Sequence, residues 1–554
     1  MNRQTHPLWH RLVPAGVSPD FAPPATTLSA IFDRTLGNHA ALPMLEYYGR
    51  IISYSEMARQ VSAIAAALAG RGIGRGDVVA LYLPNCPWHP AWLFGVWAAG
   101  AAVTHLSPLD PLPALVHKIA DSGARLLVTL SAKPFSNHAA ALVHECPALG
   151  LILCEDPVAL AGQPHEVIAP AQDHSDFIAA LPPANPVAPV PDDVALLQYT
   201  GGTTGKPRAA ILTHRNLSAA TLIYCEWFKV EPHAGPGQSV LVYSPLFHIL
   251  GLTTNLLRRV AEGGQVFLRQ RFDAAEAVDL IERHRIAAFG GVPTTWIALT
   301  QVPGIDQRDL SSLSYAGSGG APLPVEVERR VRQLTGLDLR GGWGMTETAP
   351  AGTNIPLNMP AGKEGTIGIP LPGVELQIVA LDDPRRLLPH GETGELRVRG
   401  PNVTIGYHNC PEETRAAFVD GWLLTGDLGH MDAQGFVYLT GRASDMYISG
   451  GSNIYPREIE EKLLLHPDLS EVAVLGVPDP VWGKVGMAVC VPCAGAQPQA
   501  DSLLEWLAPQ MARYKLPRHA VLWEALPKSA YGKITKKMIR EALEARGQLP
   551  GREA

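Results

Sequence analysis

Residues 198–214 have the composition of a loop that binds phosphate groups. The segment reads QYTGGTTGKPRAAILTH, and positions 200–206 contain three glycines, three threonines and one lysine. Glycine lets a backbone approach a ligand closely, hydroxyl and N–H groups donate to phosphate oxygens, and lysine supplies positive charge. The segment is not a Walker A loop, because Thr200 stands where that motif needs glycine and Pro207 where it needs Ser or Thr. It predicts a polyphosphate-binding loop, with a plain glycine-rich hairpin turn as the alternative.

Further residues have side chains suited to binding a cation, a flat ring, hydroxyl groups or negative charge. Glu347 offers carboxylate oxygens to a hard cation such as magnesium, and Trp343 offers an aromatic face. Asp427 can accept hydrogen bonds through two oxygens, and Arg442 can donate several. Lys533 follows a Ser–Ala–Tyr–Gly run and adds positive charge. The alternatives are a surface ion pair for Asp427 and Arg442, and a solvated basic segment for Lys533.

The elements that must hold these residues alternate between strands and helices. Residues 78–83 (VVALYL) predict a strand that leads into a helix containing 92–98. Residues 124–129 predict another strand, which follows a helical run around 115–121. A short buried strand at 194–199 precedes the phosphate loop. This alternation predicts an α/β fold built of layers.

The chain is expected to form two or more domains, because 554 residues exceed a single hydrophobic core. Residues 181–193 contain five prolines in thirteen positions and predict an extended linker. A second boundary is predicted near 441–451, where glycine, serine and charged residues mix. We therefore predict a large N-terminal domain at 1–444 and a small C-terminal domain at 445–554.

The composition argues against several functional classes. Hydrophobic residues make up 46% and charged residues 18%, as in a folded chain. The net charge of −7 gives no overall attraction to nucleic acid or to anionic membranes. Seven cysteines do not indicate a disulfide framework and favour a reducing, cytoplasmic environment. The Cys490–Cys493 pair lacks a second ligand pair at zinc spacing and is interpreted as ordinary thiols.

Neither a secretory signal nor a transmembrane segment is expected. The N-terminal stretch MNRQTHPLWHRLVPAG has no continuous apolar core. The longest apolar stretch, 91–103 (AWLFGVWAAGAAV), is shorter than the roughly 20 residues that a membrane span needs. It is rich in alanine and glycine, and it predicts a buried core helix.

The motifs together resemble those of the adenylate-forming superfamily, which includes acyl-CoA synthetases, adenylation domains of peptide synthetases, and luciferases. TGGTTGKP followed by LTH resembles the phosphate loop of this superfamily. Five further motifs follow in the family order: SGGAPL at 318–323, GWGMTE at 342–347, LTGD at 424–427, GRASD at 441–445 and PKSAYGK at 527–533. The resemblance covers roughly residues 30–545.

The resemblance implies a set of residues that bind ATP and AMP. In this reading Trp343 stacks on adenine, Thr346 contacts the α-phosphate, and Asp427 with Arg442 binds the ribose. Thr200 and Glu347 are the implied magnesium contacts. The implied nucleotide-binding residues are Thr200, Gly201, Gly202, Thr203, Thr204, Gly205, Lys206, Gly319, Gly320, Ala321, Gly342, Trp343, Gly344, Met345, Thr346, Asp427, Arg442 and Lys533.

The same resemblance implies a two-step reaction and the residues that serve it. Catalytic roles fall to Lys533, Glu347, Thr346 and His248. Lys533 would neutralise the charge that develops between carboxylate and α-phosphate, and His248 would be the gate between the acyl and nucleotide sites. Asp445 matches the hinge about which the C-terminal domain rotates between the two steps. Gly450 and Gly451 would then lie beside the pantetheine of CoA. Three positions depart from common family patterns: Gly202, Ser449 and Tyr531.

The implied fold is a large N-terminal domain of layered α/β subdomains with a small barrel-like part, followed by a small mobile α+β domain. The implied co-substrates and cofactor are ATP, CoA and Mg²⁺, and a carboxylic acid is the substrate. A medium- or long-chain fatty acid ranks first, then an aryl acid, then a dicarboxylate held by Arg258 or Arg259. A fatty acyl-AMP ligase that does not use CoA is a further alternative, and a homodimer stays open.

Overall fold

The structure is a computed structural model, and it describes residues 8–133, 135–156, 158, 171–179, 185–200, 207–319, 325–528 and 534–549. The chain divides into two compact units. The first comprises Met1–Lys363, Ile367–Leu376 and Val398–Leu423, and the second comprises Glu364–Thr366, Gln377–Arg397 and Leu424–Ala554. The boundary predicted between 444 and 445 falls inside the last segment of the second unit and stays a prediction.

A seven-stranded sheet in the first unit contains the strand that precedes the phosphate loop. Its spatial order is Gln172–Asp173, Gly150–Cys154, Ala124–Leu130, Val78–Tyr82, Ala102–His105, Val194–Thr200 and Arg208–Thr213. All neighbouring pairs are parallel except the last, which is antiparallel. Val78–Tyr82 is buried at every position, as expected for a central parallel strand covered on both faces.

The apolar stretch at 91–103 forms part of a core helix and then turns into a strand. The helix is Trp88–Ala98, buried at residues 89–97, and the strand is Ala102–His105. Gly100 has φ +83°, and a Cβ there would lie 2.7 Å from the Val187 carbonyl oxygen. Only glycine fits this turn, so the helix ends earlier than the prediction of one buried helix implied. Other helices in this part of the chain are Leu28–His39, Tyr54–Gly70, Leu112–Ser122, Phe135–Glu145 and His174–Ala179.

A six-stranded sheet completes the layered part of the first unit. Its order is Tyr315–Ser318, Ala288–Gly291, Ser239–Val242, Gln265–Leu268, Pro43–Tyr47 and Arg50–Ser53. The first five strands are parallel and the last pair is antiparallel. The helices that follow along the sequence are His214–Phe228, Arg258–Glu262, Ala274–His284, Pro293–Thr300 and Val325–Thr335. Leu241, Phe289 and Trp296 are fully buried in one hydrophobic cluster with Ala316.

Short strands follow where the sequence predicts a barrel-like part. Gly342–Trp343, Thr353–Asn354 and Ile369–Pro370 form an antiparallel three-stranded sheet. Further elements are the helix Pro411–Ala417 and the strands Glu375–Val379, Gly394–Arg399, Phe418–Val419, Trp422–Met431 and Val437–Arg442.

The second unit has an α+β core. Its five-stranded sheet consists of Ser452–Ile454, Tyr447–Ser449, Gly483–Pro492, Leu469–Asp479 and His519–Leu522. The helices are Pro456–Leu463, Ala500–Leu507 and Lys536–Ala545. Val474 and Cys490 belong to one buried cluster, and Val489 and Ile539 belong to another. These layers confirm the predicted α/β fold class with a small α+β C-terminal part. Among the described residues, no helix is both long enough and apolar enough to cross a membrane.

Candidate active site

The predicted phosphate loop joins two antiparallel strands. Val194–Thr200 pairs with Arg208–Thr213, with Thr200 opposite Arg208, and the Thr200 hydroxyl donates to the Arg208 carbonyl over 3.4 Å. A Walker A loop instead connects a strand to a helix, so this topology agrees with the exclusion made from the sequence. The Thr213 hydroxyl accepts from the Asn216 N–H, and this cap starts the next helix. Gly201, Gly202, Thr203, Thr204, Gly205 and Lys206 lie outside the described residues.

The predicted adenine-binding segments contain glycines at positions where a Cβ atom would clash with neighbouring backbone. A Cβ at Gly342 would lie 2.1 Å from the Thr353 carbonyl oxygen, and one at Gly344 would lie 1.4 Å from that of Pro350. Gly319 follows the strand Tyr315–Ser318, and a Cβ there would meet no atom of the described residues within 4 Å. Gly320 and Ala321 lie outside the described residues.

Trp343 is packed inside the first unit. Only 8% of its surface is exposed. A Cβ at Gly352 would lie 2.5 Å from Cε3 of the Trp343 ring, so Gly352 contacts the ring closely. An adenine could stack only on the small exposed part of the ring, unless the residues around Trp343 rearrange. The stacking role of Trp343 stays a prediction.

Glu347 is a buried carboxylate on the short 3₁₀ helix Thr346–Thr348, just after Met345. It is 6% exposed, and its Oε1 accepts a hydrogen bond from the Tyr407 hydroxyl at 2.9 Å. Its carbonyl accepts from the Thr404 N–H at 2.7 Å. A buried carboxylate needs such donors, because burying a charged group without hydrogen bonds to replace those of water costs free energy.

Tyr407 links Glu347 to the strand on which the phosphate loop ends. The Arg208 guanidinium lies over the Tyr407 ring, 4.9 Å from its centre. The backbone of the same segment pairs with that strand, because Ile211 N–H donates to the Gly406 carbonyl at 2.9 Å. Arg208 is in turn the register partner of Thr200. The two predicted magnesium contacts, Thr200 and Glu347, are therefore connected indirectly, through Arg208 and Tyr407. Neither Arg208 nor Tyr407 is among the predicted site residues.

The donors at these two positions suit magnesium. Mg²⁺ prefers oxygen ligands, and it is commonly held by one or two carboxylates together with waters and substrate phosphates. Glu347 supplies one such carboxylate, and Thr200, the last described residue before the phosphate loop, supplies a hydroxyl. Within the described part of the chain, no group of three or more His, Cys, Asp or Glu side chains could hold a metal by itself. A magnesium ion here would depend on the phosphate oxygens of its substrate.

The predicted gate residue His248 lies in a segment clamped by two amides. The Asn85 side chain accepts from the Leu246 N–H at 2.9 Å and donates to the Ser244 carbonyl at 3.0 Å. The Gln198 side chain donates to the Phe247 carbonyl at 3.1 Å. His248 itself is half-buried, and its Nδ1 accepts from the Leu250 N–H at 3.3 Å. A neutral His248 therefore carries its proton on Nε2.

The predicted ribose residues face each other in the second unit. Asp427 and Arg442 are register partners in an antiparallel pair, with Arg442 Nε 2.9 Å from Asp427 Oδ1. The Asp427 side chain is 6% exposed and that of Arg442 is 51% exposed. Glu395 lies nearby, accepts from the Gly426 N–H at 2.9 Å, and has a pKa raised by burial and by the charge of Asp427. The ion pair exists, and its ribose-binding role stays a prediction.

Asp445, the predicted hinge, lies within a turn of the second unit. Its N–H donates to the Arg442 carbonyl at 3.1 Å, and its Oδ2 lies 3.8 Å from Lys536 Nζ. Lys536 also binds Glu460 at 2.8 Å. Lys533 lies outside the described residues. The residues on each side of its segment, Lys528 and Ile534, form an antiparallel bridge.

Gly450 and Gly451, the predicted CoA contacts, form a two-residue hairpin turn. They join the strands Tyr447–Ser449 and Ser452–Ile454, with φ values of +54° and +85°. A hairpin of this length favours positive φ at both positions, and glycine adopts it without strain. A Cβ at Gly450 would also lie 2.4 Å from the Trp482 ring. The turn explains both glycines without a ligand, and the CoA contact stays a prediction.

Arg258 and Arg259, considered from the sequence as receptors for a second substrate carboxylate, are already paired with a protein carboxylate. Arg258 Nε lies 2.8 Å from Glu262 Oε1, and Arg259 Nη1 lies 3.2 Å from Glu262 Oε2. The two arginine residues are 4% and 1% exposed. Arg258 Nη2 and Arg259 Nε have no hydrogen-bond partner among the described residues, but both side chains are buried, so a second substrate carboxylate would have to enter the protein interior to reach them.

Family models match most of the chain. The model described as AMP-binding enzyme matches residues 32–408, and the AMP-binding enzyme C-terminal domain matches 458–533. The long-chain-fatty-acid–CoA ligase of Bacillus subtilis is 32% identical, over 97% of this chain and 98% of the relative. Feruloyl-CoA synthase of an Amycolatopsis species is 37% identical, over 89% and 94%. The crystal structure of ATP-bound MatB from Rhodopseudomonas palustris superposes with a TM-score of 0.82 at 28% identity, covering 94% and 99%.

These similarities show the class. The chain belongs to the AMP-binding enzyme family, as its motifs predict, and it is an AMP-forming acid–CoA ligase.

Proposed function

We propose that the chain is a fatty-acid–CoA ligase for a medium- or long-chain acid. In the first step a carboxylate oxygen attacks the α-phosphate of ATP, the bond to the β-phosphate breaks, and acyl-AMP and pyrophosphate form. In the second step the CoA thiol attacks the acyl carbonyl, loses its proton, and displaces AMP. No protein nucleophile is needed, because the substrate carboxylate is the nucleophile.

The observation that carries the adenylating step is the link from Glu347 through Tyr407 and Arg208 to Thr200. It supports a role for Glu347 and Thr200 at the triphosphate, next to the predicted phosphate loop. Preorganised charge at the α-phosphate is the main way such a site lowers the barrier. Glu347 and Thr200 would hold magnesium, which when bound screens the phosphate charges. Thr346 would donate to the α-phosphate, and Asp427 with Arg442 would hold the ribose.

The fatty acid is supported by full-length similarity to long-chain-fatty-acid–CoA ligases. No atom of the described residues lies within 4 Å of a Cβ placed at Gly319, which is compatible with an acyl chain beside the nucleotide segment. Ala316, in contrast, belongs to the buried core. An aryl acid is the second candidate, because feruloyl-CoA synthases are similar over most of their length. The burial of Arg258 and Arg259 counts against a dicarboxylate bound at that place. The cytoplasmic location and the homodimer remain predictions.

The proposal is tested by AMP release across a panel of acids, each with and without CoA. We expect the highest kcat/KM with octanoate or palmitate, and thioester formation only when CoA is present. A preference for ferulate or benzoate would replace the fatty acid with an aryl acid. Adenylate formation without thioester in the presence of CoA would identify an acyl-AMP ligase.

Replacing Glu347 by Gln should raise the magnesium concentration needed for half-maximal adenylation. The change keeps the shape of the side chain and removes the charge that would attract the cation. We expect an increase of about tenfold or more, because a hydrogen-bonded charged contact contributes roughly 1.5–3 kcal/mol. Magnesium titration of pyrophosphate release measures it. An unchanged requirement would remove Glu347 from the metal site.

Replacing Tyr407 by Phe should weaken adenylation without unfolding the first unit. The ring under Arg208 stays, but the buried Glu347 carboxylate loses its hydroxyl donor. We expect kcat/KM for ATP to fall by about tenfold, consistent with losing one hydrogen bond to a charged group. Tyr438→Phe is a matched control, since that ring stacks on His430 in the second unit. Equal effects of both substitutions would contradict a specific role for Tyr407.

A further inference from the structure

Four residues form a buried chain of hydrogen bonds that ends on the gate segment. His89 Nε2 lies 3.0 Å from His105 Nε2, and His105 Nδ1 lies 3.1 Å from Gln198 Oε1. Gln198 Nε2 donates to the Phe247 carbonyl at 3.1 Å. His89 and His105 are 0% and 1% exposed, and Gln198 and Phe247 are each 7% exposed. Water therefore does not replace any of these contacts easily.

This series of hydrogen bonds joins two elements of the candidate active site. His105 ends the strand Ala102–His105, which lies parallel to the strand Val194–Thr200 with Thr104 opposite Leu197. Gln198 is two residues before Thr200 on that second strand. Phe247 immediately precedes His248. The Gln198 side chain is thus the connection between the end of the phosphate-loop strand and the predicted gate.

The contact between Gln198 and the Phe247 carbonyl determines which atom is the donor in every hydrogen bond of this series. The Phe247 carbonyl can only accept, so the amide nitrogen of Gln198 faces it and the amide oxygen faces His105. His105 Nδ1 must then carry a proton. In a neutral His105 the other nitrogen, Nε2, is an acceptor, so His89 Nε2 must donate to it. His89 Nδ1 is left without a proton, which fits its lack of a partner among the described residues.

Both imidazoles are neutral at physiological pH. Burial lowers the pKa of His105 to about 4, and burial together with the neighbouring His105 holds the pKa of His89 well below its usual range. Because the groups are neutral and the donor at one end is fixed, only one set of proton positions satisfies all three hydrogen bonds. Such a network strengthens its members and restricts the side chains that it connects.

We propose that His105 is a positioning residue, which fixes the Gln198 amide through its Nδ1–H and thereby sets the Phe247 carbonyl and the adjacent gate His248 relative to the phosphate-loop strand. The inference rests on the proposed function, because the His105–Gln198 contact is inferred to serve the adenylating step. His89 lies one contact further away and donates to the remaining nitrogen of His105, Nε2.

Two substitutions of His105 distinguish the effect of its hydrogen bond to Gln198 from the effect of its hydrogen bond with His89. Asn places its amide nitrogen close to the position of His Nδ1 and keeps a donor for Gln198. Gln places its amide close to the position of Nε2 and keeps an acceptor for His89 instead. Each variant loses the imidazole and one contact, so their melting temperatures should be similar.

We expect His105→Asn to keep kcat/KM for the acid within about threefold, and His105→Gln to lower it by about 10- to 100-fold, as a small misplacement of reacting groups does. Thioester formation from supplied acyl-AMP should change much less in both. Equal activity of the two variants would overturn the proposal. If His105→Gln does not fold, Gln198→Met, which removes both Gln198 contacts, should show the same loss, and normal adenylation by it would also overturn the proposal.

A spectroscopic measurement tests the chain of contacts independently of activity. In protein with ¹⁵N-labelled histidine, long-range ¹H–¹⁵N correlation should show a neutral imidazole with its proton on Nδ1 whose signal is lost in both His105 variants. A proton on Nε2 of His105 would refute the arrangement. If the wild-type protein forms no thioester from any acid, the proposed function fails, whereas the tautomer result still decides whether the chain of contacts exists.

Discussion

Lys533→Ala is expected to reduce acyl-adenylate formation by on the order of 10²–10³, the usual loss when one oxyanion-type donor is removed. The lysine belongs to the PKSAYGK motif, which resembles the catalytic-lysine segment of adenylate-forming enzymes. Negative charge develops between the substrate carboxylate and the α-phosphate as pyrophosphate leaves, and a fixed ammonium group stabilises that charge. Thioester formation from supplied acyl-AMP should be largely spared, because pyrophosphate has already left.

The measurement compares the two half-reactions in the same preparation. Pyrophosphate release with ATP and acid reports the first step, and acyl-CoA yield from synthetic acyl-AMP reports the second. Lys537→Ala is the matched control, because it removes an equal charge from an exposed position on the neighbouring helix Lys536–Ala545. Equal loss of both half-reactions in Lys533→Ala would show that Lys533 does not serve the adenylating step specifically.

Local sequence patterns predicted the elements around the site well. The strand at 194–199 is observed as Val194–Thr200, and the exclusion of a Walker A loop agrees with the antiparallel partner Arg208–Thr213. These features depend on neighbouring residues: a buried apolar run, a glycine-rich connection and the Thr213 cap. Such signals are contained in short segments of sequence and can be read without tertiary contacts.

The contacts that complete the site could not be predicted in the same way. Tyr407 reaches Glu347 from 60 positions away in the sequence, and a single tyrosine beyond the family motifs gives no periodic signal. Asn85 holds the gate segment at Leu246 from 161 positions away. His105 and Gln198 become neighbours only because parallel strands bring their carboxyl ends together. A pairing of this kind requires the strand order, which the sequence alone did not provide.

Close backbone packing at two glycines bears on two of the predictions. The apolar run at 91–103 predicted one helix, but Gly100 at φ +83° divides it into a helix and a strand. The chemistry of Trp343 predicts a stacking surface, and this stays a prediction, although the ring packs against Gly352. Hydrophobic content predicts burial, and it does not specify which face of an aromatic ring remains accessible.

Asp445→Pro is expected to abolish acyl transfer to CoA while a single turnover of pyrophosphate release survives. The resemblance implies that one active site serves both steps, with the C-terminal domain presenting Lys533 in the first and the region of Gly450 and Gly451 in the second. A hinge absorbs such a rotation through changes of φ and ψ at a few residues. Proline fixes φ near −65° and removes the N–H, and the Asp445 N–H is the group that donates to the Arg442 carbonyl.

Proline at 445 should hold the adenylating arrangement, because ATP binds there without a further rearrangement. Asp445→Ala is the control that distinguishes backbone from side chain: it keeps the N–H and the freedom of φ, and it removes only the carboxylate near Lys536. We expect Asp445→Ala to keep both half-reactions within about threefold, as for loss of a partly exposed ion pair. Single-turnover ATP consumption and acyl-CoA yield from supplied acyl-AMP, with circular dichroism to confirm folding, are the measurements. A folded Asp445→Pro variant that loses both steps equally would place the hinge elsewhere, and an Asp445→Ala variant with the same defect as Asp445→Pro would assign the effect to the carboxylate.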